Sequence, residues 1–452
     1  MRLSKKKFIF LLLSLALVND LIWGFAYERD PRPEFSGSGE AFAYDQTALK
    51  ILEKGIFSSD LKGEGLSMDR FFYPVFLVLV YKVFGHNYHA VTAVQIFLFI
   101  LIVLLVYKTS QMLFREKIAR LAGIFTALCY SIASFSGWLY REVLFVFLVT
   151  LLIYCLYKSQ ITFKNRWFIL AGIVATLSFL TNAIIQFFII LAVINLFIVF
   201  YKKKFKEKLF KIGLFVLSFV LSLSPFLLSG YISFGGGGVE GLLLRERAEK
   251  MEKLEGHYWE HFIGNTLGDF FAYRWFKDYN PKEVRHGIET WNRKSEWVDQ
   301  GKDLSELNQI LLGEAKDFIP KHPIMYLKQS SIDFLKFNTP MIPNMRMQHV
   351  FIGTYPEMSD FAKGLIIIVI RLVYSIFFAL IIYAIIKHIK SWSKLSWILL
   401  LVLSFNSVFA LIHAIARYSV PVYPSYIILF SLGLVYFWNK FRKKDENLFS
   451  DK

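Results

Sequence analysis

Length, composition and charge already exclude several classes of protein. Of the 452 residues, 55% are hydrophobic, 18% aromatic and 19% charged, whereas a soluble globular protein has roughly 45–50% apolar and about 25% charged residues. The two cysteines, Cys129 and Cys155, lie inside apolar runs and indicate neither a disulfide framework nor a thiolate metal site. A soluble enzyme, a disordered chain and a secreted cysteine-rich scaffold are excluded. The sequence predicts an all-α polytopic membrane protein.

Ten apolar runs approach the roughly 20 residues that a membrane-spanning helix needs. They begin near Phe8, His89, Leu121, Glu142, Trp167, Ala183, Ile212, Gly364, Leu395 and Ser419. The two termini and four links (108–120, 158–166, 202–211 and 387–394) hold 25 Lys and Arg but only five acidic residues. The positive-inside rule therefore predicts that both termini and these links are cytoplasmic. The net charge of +17 is then an orientation signal, and no nucleic-acid partner is indicated.

Two longer regions are expected on the extracytoplasmic side. Residues 26–88 form the first outer loop, with a juxtamembrane helix, and 232–363 form a large, mostly helical loop whose 17 basic and 19 acidic residues nearly balance. We therefore divide the chain into an N-terminal transmembrane module (1–231), the large outer loop (232–363), and the C-terminal transmembrane helices with a basic tail (364–452). The Phe-, Ile- and Lys-rich composition is typical of a prokaryotic protein of the cell (inner) membrane.

Residues 71–85 are apolar but short. At 1.5 Å per residue they reach about 22 Å, which is less than the ~30 Å hydrocarbon core. A full crossing would also move the 108–120 link to the outside, against the positive-inside rule. We interpret this segment as an interfacial or re-entrant helix and keep a conventional crossing as the alternative. The chain then has about ten to eleven transmembrane helices.

Two groups of charged residues in the N-terminal module are candidates for chemistry, because charges near membrane depth are costly unless they are paired or used. Glu40 and Tyr44 are four residues apart and share a helix face, while Asp45 lies about 100° away. Arg141 and Glu142 occupy a tight outer turn. The alternative interpretations are an amphipathic surface helix with solvated acids for the first group and a snorkelling interfacial pair for the second.

A third candidate is the outer turn at 413–424. Arg417 opens a span there, followed by Tyr418, and Pro421 and Pro424 break the helix. An arginine on the extracytoplasmic side opposes the positive-inside trend, so it is a candidate ligand for an anion such as a lipid phosphate; an interfacial anchor is the alternative. Arg371 lies inside a span and is expected to face other helices.

The order of these motifs resembles the GT-C superfamily of membrane glycosyltransferases, in particular the branch with protein O-mannosyltransferases and aminoarabinose transferases. Five motifs follow the family's order along nearly the whole chain. They are Glu40, Tyr44, Ala48 and Gly55; then Tyr73, Pro74, Phe84 and Gly85; then Glu142, Leu144 and Phe145; then Phe318 to Pro323; and finally Arg417, Tyr418, Pro421 and Pro424.

The resemblance implies transfer of a sugar from a polyprenyl-phosphate donor to an acceptor hydroxyl on a lipid, a glycan or a protein, with inversion at the anomeric carbon. It implies catalytic roles for Glu40, as the base that takes the hydroxyl proton, and for Glu142. Because the family usually has Asp where Glu40 stands, Asp45 and Glu34 are the alternatives.

The departing phosphate would be bound by cations and hydroxyl groups, which the resemblance places on Arg417, Arg141, Tyr44 and Tyr418. A divalent metal, Mg²⁺ or Mn²⁺, is used by some relatives and not by others, so the metal stays open. Membrane lipids would surround the donor's tail.

Two other functions stay open from the residues alone. A polymer ligase of the O-antigen ligase type, with a lipid-diphosphate donor, would also have many spans and a large outer loop, but its site is expected to be rich in Arg and His. A lipid or sugar transporter would have discontinuous helices and polar residues near the middle of the membrane, whereas here the polar groups concentrate towards the outer side.

Overall fold

The computed structural model describes residues 4–24, 39–56, 71–228, 240–277, 287–339, 360–442 and 448–449. These residues are almost entirely helical. Within the described ranges, β-pairing is limited to an isolated antiparallel bridge between Phe114 and Phe449. The prediction of an all-α chain is therefore confirmed for this part of the protein. Glu34, one of the alternative acids, lies outside the described residues.

Nineteen α-helices are described, and three 3₁₀ turns link some of them. The α-helices up to residue 228 are α1 (Lys5–Gly24), α2 (Gly39–Lys54), α3 (Phe72–Phe84), α4 (Tyr88–Leu113), α5 (Glu116–Ala127), α6 (Tyr130–Ala133), α7 (Glu142–Thr162), α8 (Asn165–Thr181), α9 (Ile185–Val199) and α10 (Phe205–Leu228). Those that follow are α11 (Glu240–Leu254), α12 (Tyr258–Thr266), α13 (Asp269–Trp275), α14 (Ile288–Asp299), α15 (Leu304–Phe318), α16 (Pro323–Phe337), α17 (Asp360–His388), α18 (Trp392–Leu411) and α19 (Tyr423–Phe441). The 3₁₀ turns are Ile319–Lys321, Ile389–Ser391 and Ala416–Val422.

Among the described residues, five stretches are long and apolar enough to cross a membrane, so the chain is an integral membrane protein. They are Tyr88–Leu113, Glu142–Thr162, Phe205–Leu228, Gly364–Leu411 and Ala416–Phe441. Gly364–Leu411 contains both α17 and α18. Three shorter apolar helices, α3, α8 and α9, accompany them. The number of ten to eleven crossings stays a prediction.

The run that begins near Leu121 differs from the expected single span. Helix α5 ends at Ala127, and residues 128–141 continue as turns around the four-residue helix α6. This segment contains Ser131, Ser134 and Ser136, which are buried, and serine side chains compete with helical hydrogen bonds. Helix α3, with 13 residues, is as short as expected; at 1.5 Å per residue it reaches about 20 Å.

The chain divides into two units, each described here by itself. The first unit contains residues 1–233, 378–404 and 420–452, and the second contains 234–377 and 405–419. In the first unit, α4 packs against α1, α5 and α7, while α8 packs between α7 and α10. Helices α8 and α10 approach closely at Gly172, where an added Cβ would lie 2.4 Å from the Phe215 carbonyl oxygen.

The second unit is built on α11, which packs against α14, α15 and α16. Leu242, Leu307 and Leu311 form one small apolar cluster in it, and Leu254 and Ile332 form another. The predicted Phe318–Pro323 motif forms the corner between α15 and α16, where the His322 ring stacks on Phe318 with centroids 4.1 Å apart. Arg371 of α17 donates to the Asn265 carbonyl oxygen at 2.9 Å, as expected for an arginine that faces other helices.

Candidate active site

Helix α2 places Glu40, Tyr44 and Asp45 in different surroundings. Glu40 lies in the first turn of the helix and is partly exposed. Tyr44, one turn further along, is buried, and its ring packs edge to face against Tyr73 of α3 with centroids 5.0 Å apart. A carboxylate at a helix N-terminus is favoured by the helix dipole, and the Glu40 carboxylate remains accessible there.

Asp45 is buried and is held by three side chains. Its Oδ1 accepts a hydrogen bond from Tyr81 at 2.6 Å and lies 2.9 Å from Nε2 of His86, and its Oδ2 accepts from Tyr88 at 3.0 Å. The side chain is 3% exposed. Both carboxylate oxygens are thus engaged by α3, by α4 and by the turn between them. This arrangement suits a structural acid that fixes α2 against α3 and α4.

Arg141 and Glu142 are both buried at the start of α7. Nη1 of Arg141 donates to the carbonyl oxygen of Thr181, the last residue of α8, at 3.2 Å. The cation therefore lies at a helix C-terminus and the carboxylate at a helix N-terminus, which are the electrostatically favourable ends for each. Their burial is not what the snorkelling alternative would give.

Tyr73 connects the acids of the first unit. Its hydroxyl is near enough to Tyr44, Asp45 and Glu142 to interact electrostatically with all three, and it donates a hydrogen bond to Gln95 Oε1 at 3.1 Å. The structure thus brings Tyr44, Asp45, Tyr73 and Glu142 together from α2, α3 and α7. Tyr73 entered the sequence analysis only as a motif residue and not as a candidate for chemistry.

The segment that leads into Arg141 and Glu142 is held by two polar residues that the sequence analysis missed. Nε2 of Gln95 donates to the carbonyl oxygens of Ser136 and Trp138 at 3.0 and 2.8 Å. The fully buried Asp20 of α1 accepts a hydrogen bond from the Ser136 hydroxyl at 3.0 Å. The sequence signal that could have identified Asp20 and Gln95 is that both are polar residues inside apolar runs. Polar groups in such runs usually have a structural or functional role.

Arg417 and Tyr418 belong to the second unit, in the 3₁₀ turn Ala416–Val422. Arg417 is partly exposed. The Tyr418 ring stacks on Phe409 with centroids 4.9 Å apart, and the His413 ring lies beside it. The stacking fixes the turn against the end of α18.

His413 precedes this turn and is surrounded by charges from α11. Its Nδ1 lies 3.1 Å from Nζ of Lys250 and 3.6 Å from Oε1 of Glu246. Burial, reinforced by the neighbouring Lys250 cation, lowers the pKa of His413 to about 4 in spite of the Glu246 carboxylate. His413 is therefore neutral near pH 7, and its Nδ1 accepts from the Lys250 ammonium.

The described residues do not fit a metal centre. Within the described ranges, no group of three or more His, Cys, Asp or Glu side chains is arranged to hold an ion. Mg²⁺ prefers several oxygen ligands in near-octahedral geometry, and the described carboxylates of the first unit do not supply such a set. We therefore derive no chemical step through Mg²⁺ or Mn²⁺.

Taken together, the helices and the clustered acids define a polytopic helical membrane protein with a polar site among its first helices. Residues 71–228 match the protein family described as dolichyl-phosphate-mannose-protein mannosyltransferase. This segment, less than half of the chain, contains Tyr73, Arg141 and Glu142. No curated protein sequence matches the chain.

The solved structures that are similar to this chain include the following three. The apo oligosaccharyltransferase from Archaeoglobus fulgidus has a TM-score of 0.52 at 13% identity over 99% of this chain and 53% of its own. The same enzyme in complex with Zn and sulfate has a TM-score of 0.51 at 12% identity, over 96% of this chain and 50% of its own. ArnT from Cupriavidus metallidurans bound to undecaprenyl phosphate has a TM-score of 0.39 at 11% identity, over 96% of this chain and 78% of its own.

The chain spans about half the length of the oligosaccharyltransferase that it matches. At these identities the comparison with that enzyme shows a shared fold. Together with the matching family, it confirms the resemblance to the GT-C glycosyltransferases that the sequence predicts.

Proposed function

We propose that the protein is an inverting glycosyltransferase that moves a sugar from a polyprenyl-phosphate donor to an acceptor hydroxyl on the extracytoplasmic face of the membrane. One observation carries the proposal. The segment that matches a dolichyl-phosphate-mannose-dependent family contains Tyr73 and Glu142, and the fold gathers these two residues with Tyr44 and Asp45. The description of that family supports a polyprenyl-phosphate donor.

Glu40 is the proposed general base. The acceptor oxygen attacks the anomeric carbon while its proton passes to the Glu40 carboxylate, and the bond between that carbon and the phosphate oxygen breaks with its electron pair on the departing polyprenyl phosphate. Asp45 is the poorer candidate, because both of its oxygens already accept hydrogen bonds in a buried position. Glu142, buried at the start of α7, is proposed to orient the acceptor.

The departing phosphate gains negative charge, which positioned cations stabilise. Arg417 is the proposed ligand, with Tyr418 next to it. Arg141 already donates to the Thr181 carbonyl oxygen, so its contribution to the phosphate is secondary. Tyr44 is proposed to act at the donor through its hydroxyl. The acceptor class, lipid, glycan or protein, is left to the assay.

The test is sugar transfer by the purified protein from a panel of radiolabelled polyprenyl-phosphate sugars. We expect Glu40→Gln to lower kcat by about 10² or more while donor binding is retained, since the amide keeps the shape but cannot take the proton. Glu53→Gln, the same change at an exposed acid near the end of α2, is the matched control and should keep wild-type kcat.

Full activity in Glu40→Gln would move the base to Asp45 or Glu34. Absence of transfer or donor hydrolysis by the wild type, with every donor and with Mg²⁺ or Mn²⁺ added, would contradict the proposal and favour the ligase or the transporter.

A further inference from the structure

The chain between α18 and the turn that bears Arg417 is held in place by side chains of α11 and α16. Helix α18 ends at Leu411, and the last carbonyl groups of a helix have no partner within it. Here three consecutive carbonyl oxygens receive side-chain donors. Arg247 donates to Ala410 at 3.3 Å and to Ile412 at 3.1 Å, and the Tyr326 hydroxyl donates to Leu411 at 2.7 Å.

Arg247 is itself rigidly placed. Its guanidinium pairs with Asp333 at 3.0 Å, and the two side chains are 1% and 2% exposed. Nη2 also donates to the Ser330 hydroxyl, and the guanidinium lies over the Tyr326 ring, 4.2 Å from its centroid. A buried arginine held by a carboxylate, a hydroxyl and an aromatic face has little freedom to move. Its remaining donors therefore fix the carbonyl groups that they reach.

Helix α11 also contacts His413, the next residue of the segment. Lys250, three residues after Arg247 on α11, binds the His413 ring through Nζ at 3.1 Å. Residues 410 to 413 are thus each contacted by a side chain of α11 or α16. Arg417 follows four residues later, in a 3₁₀ turn whose Tyr418 stacks on Phe409.

We infer that Arg247 is a positioning residue, which holds the 410–413 segment so that Arg417 is presented to a lipid-linked phosphate. The inference rests on the proposed function, because that function gives Arg417 its phosphate. Arg247 does not touch the donor; it acts through the backbone that leads to Arg417. Tyr326 assists Arg247 by donating to the Leu411 carbonyl oxygen, which lies between the two carbonyl groups that Arg247 binds.

Two variants separate positioning from folding. Arg247→Lys keeps a cation beside Asp333, but a single ammonium cannot reach Asp333 and two carbonyl groups together. Tyr326→Phe removes one hydroxyl and keeps the ring under the guanidinium. Arg245→Lys is the matched control, because Arg245 lies on the same helix and pairs with Glu314 instead. All are made in the full-length protein in lipid nanodiscs.

The first readout is hydrogen–deuterium exchange of the amides of residues 411–418, which does not depend on catalysis. The second is equilibrium binding of undecaprenyl phosphate. We expect faster exchange in both variants and about tenfold weaker binding in Arg247→Lys, the size of one lost charge-assisted hydrogen bond. Arg245→Lys should match the wild type in both readouts.

The third readout is a double-mutant cycle with Arg417→Gln. If Arg247 acts through Arg417, then Arg247→Lys has little further effect on binding when Arg417 is absent. Unchanged exchange, or faster exchange with unchanged binding, would overturn the inference, as would additive losses in the cycle. If Arg417→Gln binds undecaprenyl phosphate as tightly as the wild type, the proposed role of Arg417 fails first and the inference fails with it. In that case the exchange data still report separately whether the segment is anchored.

Discussion

Two carboxylates five residues apart on α2 show how strongly local contacts divide the roles of similar residues. Asp45 is buried and accepts from Tyr81 and Tyr88, while Glu40 is partly exposed at the helix start. The sequence presented both as candidate bases. The helix faces of Glu40 and Asp45 could be predicted from their spacing. The partners of Asp45 could not, because they lie 36 to 43 residues away in the sequence and residue spacing does not predict contacts at that separation.

The first prediction tests this division. Asp45→Asn replaces one acceptor oxygen by an NH₂ group that faces donors, so we expect a loss of about 2 kcal/mol, the range for hydrogen bonds to a charged group. The thermal unfolding midpoint of the purified protein should fall by several degrees. Glu40→Gln, the equivalent change at the exposed acid, should leave it within about one degree. A midpoint that falls only in Glu40→Gln would reverse the two assignments.

The second prediction concerns pH and His413. Its folded pKa of about 4 lies below its ordinary value of 6.5, so the neutral ring contributes stability that is fully present above pH 6.5 and is lost as the pH falls towards 4. Protonation would place a second cation beside Lys250, which the Glu246 and Asp333 carboxylates offset only in part.

We expect His413→Gln to make the decline of the unfolding midpoint between pH 6.5 and 4 shallower, because glutamine does not titrate. His89→Gln, at an exposed histidine, should keep the wild-type slope. An unchanged slope in His413→Gln would show that the pKa of His413 is the same in the folded and unfolded states.

At the scale of helices, the motifs predicted from the sequence correspond to places where the chain turns or where helices begin. Phe318–Pro323 is the corner between α15 and α16, and Glu142 is the first residue of α7. The early end of α5 at Ala127 was not predicted, because the apolar run continues past it. Hydropathy measures transfer into lipid and does not report hydrogen bonds between distant side chains, such as the one from Ser136 to Asp20.

The third prediction is about the contact between α8 and α10. Gly172→Ala would place a methyl group 2.0 Å from the Ser218 hydroxyl and 2.4 Å from the Phe215 carbonyl oxygen, so the helices must separate, at a cost of about 1–3 kcal/mol. Gly213→Ala on α10 meets nothing within 4 Å and should be neutral or stabilising by up to ~1 kcal/mol. Thermal unfolding of the two variants measures the difference. Equal midpoints would mean that the helices are not in contact at Gly172.

For the whole molecule, composition alone predicted an integral membrane protein, and the apolar stretches confirm it. The division into two units could not be read from the sequence in full. The predicted outer loop ends at residue 363, whereas the second unit also includes residues 364–377 and the return segment 405–419. Arg247, which contacts residues 405–419, had no signal in the sequence, because its partners are 79 to 165 residues away.

The fourth prediction is the orientation in the membrane. With Cys129 and Cys155 replaced by alanine, a cysteine at Lys302 should react with a membrane-impermeant maleimide in intact cells. A cysteine at Lys203 should react only after the membrane is permeabilised. Both positions are exposed, and the basic link around Lys203 is expected inside. Labelling of Lys203 from outside would reverse the orientation.

The buried bond between Asp20 and Ser136 also bears on how the protein is made. The two residues are 116 positions apart, and at roughly 5–20 residues per second the ribosome needs about ten seconds to reach the second after the first. During that interval the Ser136 hydroxyl that donates to Asp20 does not yet exist. This contact of the first helix is therefore completed only after the segment that contains Ser136 has been synthesised.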